Sequence, residues 1–175
     1  MLDGDSPSPI SDLPPCPASV RIAGPADEPR VFDLLWTHLR ADNFMGIPPD
    51  ESRVWANVNA TCRGQGGICG VIDAADGTLA GSIAIVAFQP WYSAIWHLSQ
   101  VWAFVRPEHR KGTRYGTDLF DFARWHRADM ARRLGYDIGL ENSVMSFKRL
   151  AAKERLWATK ARKAGAIFWI GGDHG

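Results

Sequence analysis

Residues 101–119 read Val101-Trp102-Ala103-Phe104-Val105-Arg106-Pro107-Glu108-His109-Arg110-Lys111-Gly112-Thr113-Arg114-Tyr115-Gly116-Thr117-Asp118-Leu119. An apolar stretch passes through a basic, glycine-containing turn into the start of a helical pattern, and that order decides the fold. The first-turn amides of a helix have no partner inside the helix, and the aligned peptide dipoles add partial positive charge there. A strand that feeds a basic turn into a helix N-terminus is therefore a way of offering main-chain N–H groups to a phosphate. Gly112 and Gly116 let the main chain approach a ligand closely. Arg110, Lys111 and Arg114 supply counter-charge, and Thr113 and Thr117 supply hydroxyls. Two common phosphate binders are excluded: no Gly-Lys-Ser/Thr follows at the P-loop interval, and the Gly-x-Gly-x-x-Gly dinucleotide fingerprint is missing. A solvated basic turn before a surface helix satisfies the same spacing.

Working outward, residues 95–105 predict a strand dense enough in apolar residues to be buried on both faces. A long helix is expected over 115–134, with Leu119, Ala123, Met130 and Leu134 as its buried stripe and Gly135 as its stop. Upstream, residues 20–23 predict a first strand. Asp27 is placed as the N-cap of a helix carrying Val31, Leu34, Leu35, His38 and Leu39 at helical spacing. A second helix is expected over 50–62. Strands are expected over 68–73 and 78–88, joined by an Asp76-Gly77 hairpin turn. Downstream, a strand over 136–141, a helix over 147–163 and a strand over 166–170 complete the order β-α-α-β-β-β-α-β-α-β. Residues 1–18 hold five prolines among Ser and Asp and predict a disordered or loosely docked tail. Residues 19–175 then form a single domain.

With 46% apolar and 22% charged residues, the 175-residue chain has the composition of a soluble globular protein. A net charge of +1 argues against a phosphate-backbone footprint, so no nucleic acid is expected as partner. The acidic start and the lack of a long apolar run argue against a signal peptide and a membrane span. Cys16, Cys62 and Cys69 have no metal-ligand spacing and suit a reducing compartment. The expected location is the cytoplasm, with no metal and no membrane partner.

The run Val105-Arg106-Pro107-Glu108-His109-Arg110-Lys111-Gly112, continued by Gly116-Thr117-Asp118-Leu119, resembles the acyl-CoA signature of the GNAT superfamily of N-acetyltransferases. The element order resembles that fold from residue 20 to residue 170. The Trp91-Tyr92-Ser93 turn, the His97-Leu98-Ser99-Gln100 strand start and Lys153-Glu154-Arg155-Leu156 look like GNAT-like proteins of phages and prophages. The resemblance implies an α/β layered fold with a mixed central sheet of about six or seven strands, about four helices and splayed central strands. It implies acetyl-CoA (CoA) as cofactor, its diphosphate on the amides of residues 111–117. The pantetheine arm would run beside Trp102, Phe104 and Val105 as an extra strand does. It places Arg110, Lys111, Gly112, Thr113, Arg114, Tyr115, Gly116, Thr117, Asn142 and Lys153 around the cofactor. The acceptor is a small-molecule amine or a protein amino group, and a homodimer is left open.

Acyl transfer to an amine needs a neutral nucleophile, although a free alkylamine has a pKa near ~10.4. It also needs a donor for the oxyanion and stabilisation of the departing thiolate. Many family members carry a glutamate on the central strand as base. Gln100 stands there in this chain, and a neutral amide can orient a substrate or water but cannot take a proton. His97 is the nearest group that titrates near neutrality, and Glu141 is the other candidate base. Asn142 and Ser143 could hold a water or a pantetheine amide. The tyrosine that often protonates the thiolate is replaced by Ala161. Phe44, Met45, Trp55, Trp91, Tyr92 and Trp96 could line an acceptor cleft favouring an apolar, aromatic or indole-bound cationic acceptor. Two other readings stay open: a module that holds CoA without turnover, and a phage-type structural or regulatory protein that does not bind it.

Overall fold

The computed structural model describes residues 14–42, 47–142 and Arg155. Within them run β1 (Arg21–Ile22), a 3-10 turn (Pro25–Asp27), α1 (Glu28–Asp42), α2 (Glu51–Cys62), β2 (Gly67–Asp73), β3 (Leu79–Phe88), β4 (His97–Val105), a second 3-10 turn (Pro107–His109), α3 (Tyr115–Leu134) and β5 (Leu140–Glu141). The sheet has the order β1-β2-β3-β4-β5, antiparallel throughout except for the parallel β4–β5 pair. The expected six or seven strands and four helices thus become five strands and three helices among the described residues. Apart from Arg155, the predicted helix over 147–163 and strand over 166–170 lie outside them, as do Phe44, Met45, Ser143, Lys153 and Ala161.

Strand alternation sends side chains to opposite faces and builds two cores. On one face α3 sets Leu119, Phe122 and Ala123 against Ile83, Ile85 and Leu98. On the other, Val31 and Leu34 of α1 and Val58 of α2 meet Cys69, Val71, Leu79 and Phe104. Each large aliphatic buried there stabilises the fold by about 1.5–3 kcal/mol. Turn chemistry sets the connections, at Gly77 and Gly135 as the sequence predicts. Asp50 caps α2 by accepting from the Arg53 N–H at 3.0 Å. Gly77 takes φ +84° in the β2–β3 hairpin, and Gly135 closes α3 at φ +75°. Gly70 is required for a different reason: a Cβ there would lie 2.7 Å from the Phe122 ring.

Four expectations change. Asp27 does not cap α1; it ends the preceding 3-10 turn, buried, accepting from Gly24 N–H at 3.0 Å and from both Arg21 terminal nitrogens at 2.7 Å. The α3 stripe is centred on Leu119, Phe122, Ala123 and Ala131, while Met130 and Leu134 are only half-buried. The strand expected over 136–141 shrinks to two residues because side chains satisfy the main chain of Ile138: Arg127 Nε donates to its carbonyl at 2.7 Å, and its own N–H donates to Asp137 Oδ1 at 3.0 Å. The strand expected over 95–105 starts at His97, since Ile95 N–H is bonded to Ser93 Oγ at 3.1 Å and Trp96 N–H to Tyr136 Oη at 3.3 Å. Nor is it buried on both faces. Val101 is 44% exposed because β5 pairs only with Leu98 and Ser99.

Candidate active site

The site is organised along β4. At its start, Leu98 N–H donates to the Gly139 carbonyl at 2.9 Å, and the parallel register runs Leu98↔Leu140 and Ser99↔Glu141. There the pairing ends, and the main chain of residues 100–105 has no strand on that side among the described residues. The part of β4 beyond the fork also carries a bulge. Ile85 faces Gln100 while Ala84 faces Trp102, so Val101 is the extra residue. A bulge turns the strand and re-aims its side chains. Here it puts Trp102 and Phe104 on the α1/α2 face, although Leu98 belongs to the α3 face.

At the fork, two polar atoms are buried without a hydrogen-bond partner among the described residues: Gln100 Oε1 and Asn142 Oδ1. A buried acceptor without a donor is costly, and such atoms in a concave region point to a missing partner. Trp102, by contrast, is satisfied. Its Nε1–H donates to the buried Ser82 Oγ at 3.0 Å. The side chains of Phe104 and Val105 are core, the Phe104 carbonyl lies against Gly81 of β3, and the Val105 carbonyl accepts from Arg110 Nε.

At the other end of β4, Pro107–His109 turns the chain toward α3. The amides of residues 111–117 donate to no acceptor among the described residues; the first bond of the helix is Asp118 N–H to the Arg114 carbonyl at 2.9 Å. Gly112 sits at φ +76°, and a Cβ on Gly116 would meet nothing within 4 Å, so both face open space. Lys111 and Arg114 are exposed, and Tyr115 and Thr117 are half-buried. Arg110 is braced: its Nε donates to the Val105 carbonyl at 2.7 Å, and its guanidinium lies 5.2 Å from the Phe104 ring centroid. His38 of α1 stacks on that ring at 3.7 Å, which ties the turn to the first helix. Thr113 spends its hydroxyl proton on the His109 carbonyl at 2.5 Å. Asp118, in the first turn of α3, is engaged by Ser19 Oγ at 2.7 Å.

His97 and Glu141, distant in sequence, line one recess of about 450 Å³ together with Phe88, Pro90, Trp91 and Tyr92. His97 packs against Gly139, where a Cβ would lie 2.9 Å from its Nδ1. Of the expected aromatic lining, Trp91 and Tyr92 are at the recess. Trp55 is elsewhere, stacked on Phe32 at 4.1 Å in the α1/α2 core. Sequence reasoning missed Phe88 and Pro90 at the recess and the bulge at Val101; strict alternation along residues 97–105 leaves no sign of an inserted residue. Among the described residues no cluster of His, Cys, Asp or Glu could hold a metal ion, and no helix is long and apolar enough to cross a membrane.

A mixed sheet whose two parallel strands part after Ser99, with β4 then running through a basic turn into a helix N-terminus, gives an α/β fold that solved acetyltransferases share. A ribosomal-protein-alanine N-acetyltransferase from Brucella melitensis biovar Abortus 2308 matches at TM-score 0.59 with 15% identity, over 88% of this chain and 99% of that one. An integron cassette protein from the mobile metagenome of Cole Harbour Salt Marsh matches at TM-score 0.63 with 14% identity, over 92% and 93%. An aminoglycoside acetyltransferase from an uncultured soil metagenomic sample, solved with sisomicin, matches at TM-score 0.58 with 13% identity, over 88% and 95%. No family model and no curated protein sequence matches the chain.

Proposed function

We propose that this protein is a cytoplasmic N-acetyltransferase that moves an acetyl group from acetyl-CoA to a primary amine by direct attack in a ternary complex. The observation that carries the reading is the layout of β4: unspent amides and basic side chains follow its end, and both candidate bases share a recess at its start. The residues present fit the cofactor. The amides of residues 111–117, with Lys111 and Arg114, would hold the diphosphate, and the edge of β4 that β5 leaves uncovered after Ser99 would take the pantetheine arm, running beside Trp102, Phe104 and Val105. Gln100 Oε1 and Asn142 Oδ1 would receive N–H donors at the fork. Lys153, on the expected next helix, belongs to the same proposal as a phosphate ligand. When bound, acetyl-CoA supplies the activated acyl group.

The chain's own part is positioning and proton removal. Glu141 or His97 accepts the proton that an arriving ammonium must lose, and Gln100 orients the amine or a water without itself titrating. Alignment of the reactants supplies much of the rate. The narrower kinship with phage and prophage members, carried by residues 91–93 and 97–100, is part of this proposal.

Melting curves with and without acetyl-CoA, followed by free-thiol release in an amine panel, test the reading. A ligand bound only by the native state raises the melting temperature. A shift together with amine-dependent thiol release is expected, and no shift at saturating acetyl-CoA would overturn the proposal. Because Gln100 occupies the position of the usual glutamate, a CoA-holding module without turnover is the second reading. A shift without thiol release for any amine would select it.

A further inference from the structure

The recess beside His97 has a composition that bears on the acceptor. Its wall is the β3–β4 connection, where Trp91 is 96% and Tyr92 71% exposed. The two rings meet edge to face, with centroids 5.5 Å apart at 87°. The connection is braced rather than loose: Gln89 Nε2 donates to the Ala94 carbonyl at 2.6 Å, Ser93 N–H to the Pro90 carbonyl at 3.0 Å, and Ile95 N–H to Ser93 Oγ at 3.1 Å. Preorganised ring faces gain area on contact with a ligand at little further entropic cost. Glu141 is the one carboxylate among the described lining residues, and no Lys or Arg is among them. The basic turn is at the other end of β4, whose nine residues span about 26 Å. That is well beyond the roughly 8 Å screening length of physiological salt, so the turn does not repel a cation at the recess. Ring faces beside a carboxylate attract an ammonium carried on an apolar body.

We infer that the acceptor is a primary amine with a single positive charge on an aromatic or alkyl body, its ammonium at Glu141 and its body on the Trp91 and Tyr92 rings. A polycation such as an aminoglycoside finds one carboxylate and two hydrophobic rings there, and gains little. This inference rests on the N-acetyltransferase reading and narrows it to a substrate class.

The experiment compares 2-phenylethylamine, n-hexylamine, ethanolamine and sisomicin at saturating acetyl-CoA, in the native protein and in the Trp91→Ala/Tyr92→Ala double variant. Expected is a kcat/KM for 2-phenylethylamine and n-hexylamine at least about tenfold above that for ethanolamine. The double variant should lose this preference through KM, with the acetyl-CoA melting shift unchanged. Equal or better use of ethanolamine or sisomicin overturns the inference, as does a preference that survives in the double variant. A melting shift with no turnover isolates a failure of the transferase reading. The recess is then tested by quenching of tryptophan emission with 2-phenylethylamine: Trp91-dependent quenching upholds it, and its absence overturns it.

Discussion

Gln100 and Asn142 each stand one step beyond the last paired rung of β4 and β5, Ser99↔Glu141, and each buries a side-chain oxygen that meets no donor among the described residues. Leaving such an acceptor unsatisfied costs about 1–3 kcal/mol, whereas an apolar group of similar shape avoids the cost. Gln100→Met and Asn142→Leu should therefore hold or raise the melting temperature of the free protein while lowering turnover. Calorimetry paired with a thiol-release assay reads both effects, and a loss of stability with full turnover would contradict the assignment.

Gly116 faces open space, so Gly116→Asp should leave the fold intact. It puts a carboxylate among the amides proposed to hold a diphosphate. Acetyl-CoA binding, measured by titration calorimetry, should weaken by at least about tenfold, a modest loss for an unpaired like charge. Unchanged affinity would remove residues 111–117 from the cofactor site.

Replacing His97 or Glu141 by Ala should lower kcat much more than acetyl-CoA affinity, because both lie at the recess and away from the basic turn. Loss of a general base typically costs about 10²–10⁴-fold. Comparing the two variants assigns the base to the one with the larger loss. Full activity in both would mean that the proton leaves by another route.

Gly70→Ala should destabilise the protein by about 1–3 kcal/mol, as overpacking does, since its Cβ would overlap the fully buried Phe122 ring. Chemical denaturation should show a lower midpoint with an unchanged slope.

Acid should unfold the protein in two stages. Burial pushes His126 down to about 4, against a favourable pull from Asp129 and with a further lowering by Arg133. The unfolded imidazole binds its proton near pH 6.5, so the native state binds fewer protons in between, and stability falls as pH drops from about 6.5 to 4. The Arg21 guanidinium, bonded to Asp27, holds that carboxyl down to about 2, with a smaller contribution from the Gly24 N–H. Its stabilisation is present above about pH 4 and is lost as pH falls toward 2. His126→Phe should flatten the upper stage and leave the lower one, as read from denaturation midpoints across the range.

Most of the element order was legible because periodicity and punctuation agree over long segments. Leu34, Val58 and Leu119 fall at helical spacing, and Gly77 and Gly135 act where their local chemistry predicts. Misreadings occurred where a distant group claims a main-chain atom. Arg127 and Asp137 take Ile138 away from β5, and Tyr136 holds Trp96 outside β4. No local pattern records such long-range claims. The basic turn was visible because its proposed role lies in consecutive residues, whereas the recess joins His97 to Glu141 across 44 positions of chain numbering and required the parallel pairing.

The order of strand, basic turn and helix, and with it the row of amides at residues 111–117, is a property of local sequence: helix ends leave amides unspent wherever they occur. The fork after Ser99, the bulge at Val101 and the meeting of His97 with Glu141 belong to the tertiary structure alone. They depend on which strands lie side by side and where that pairing stops, and hydrogen bonds between segments far apart in the chain decide both.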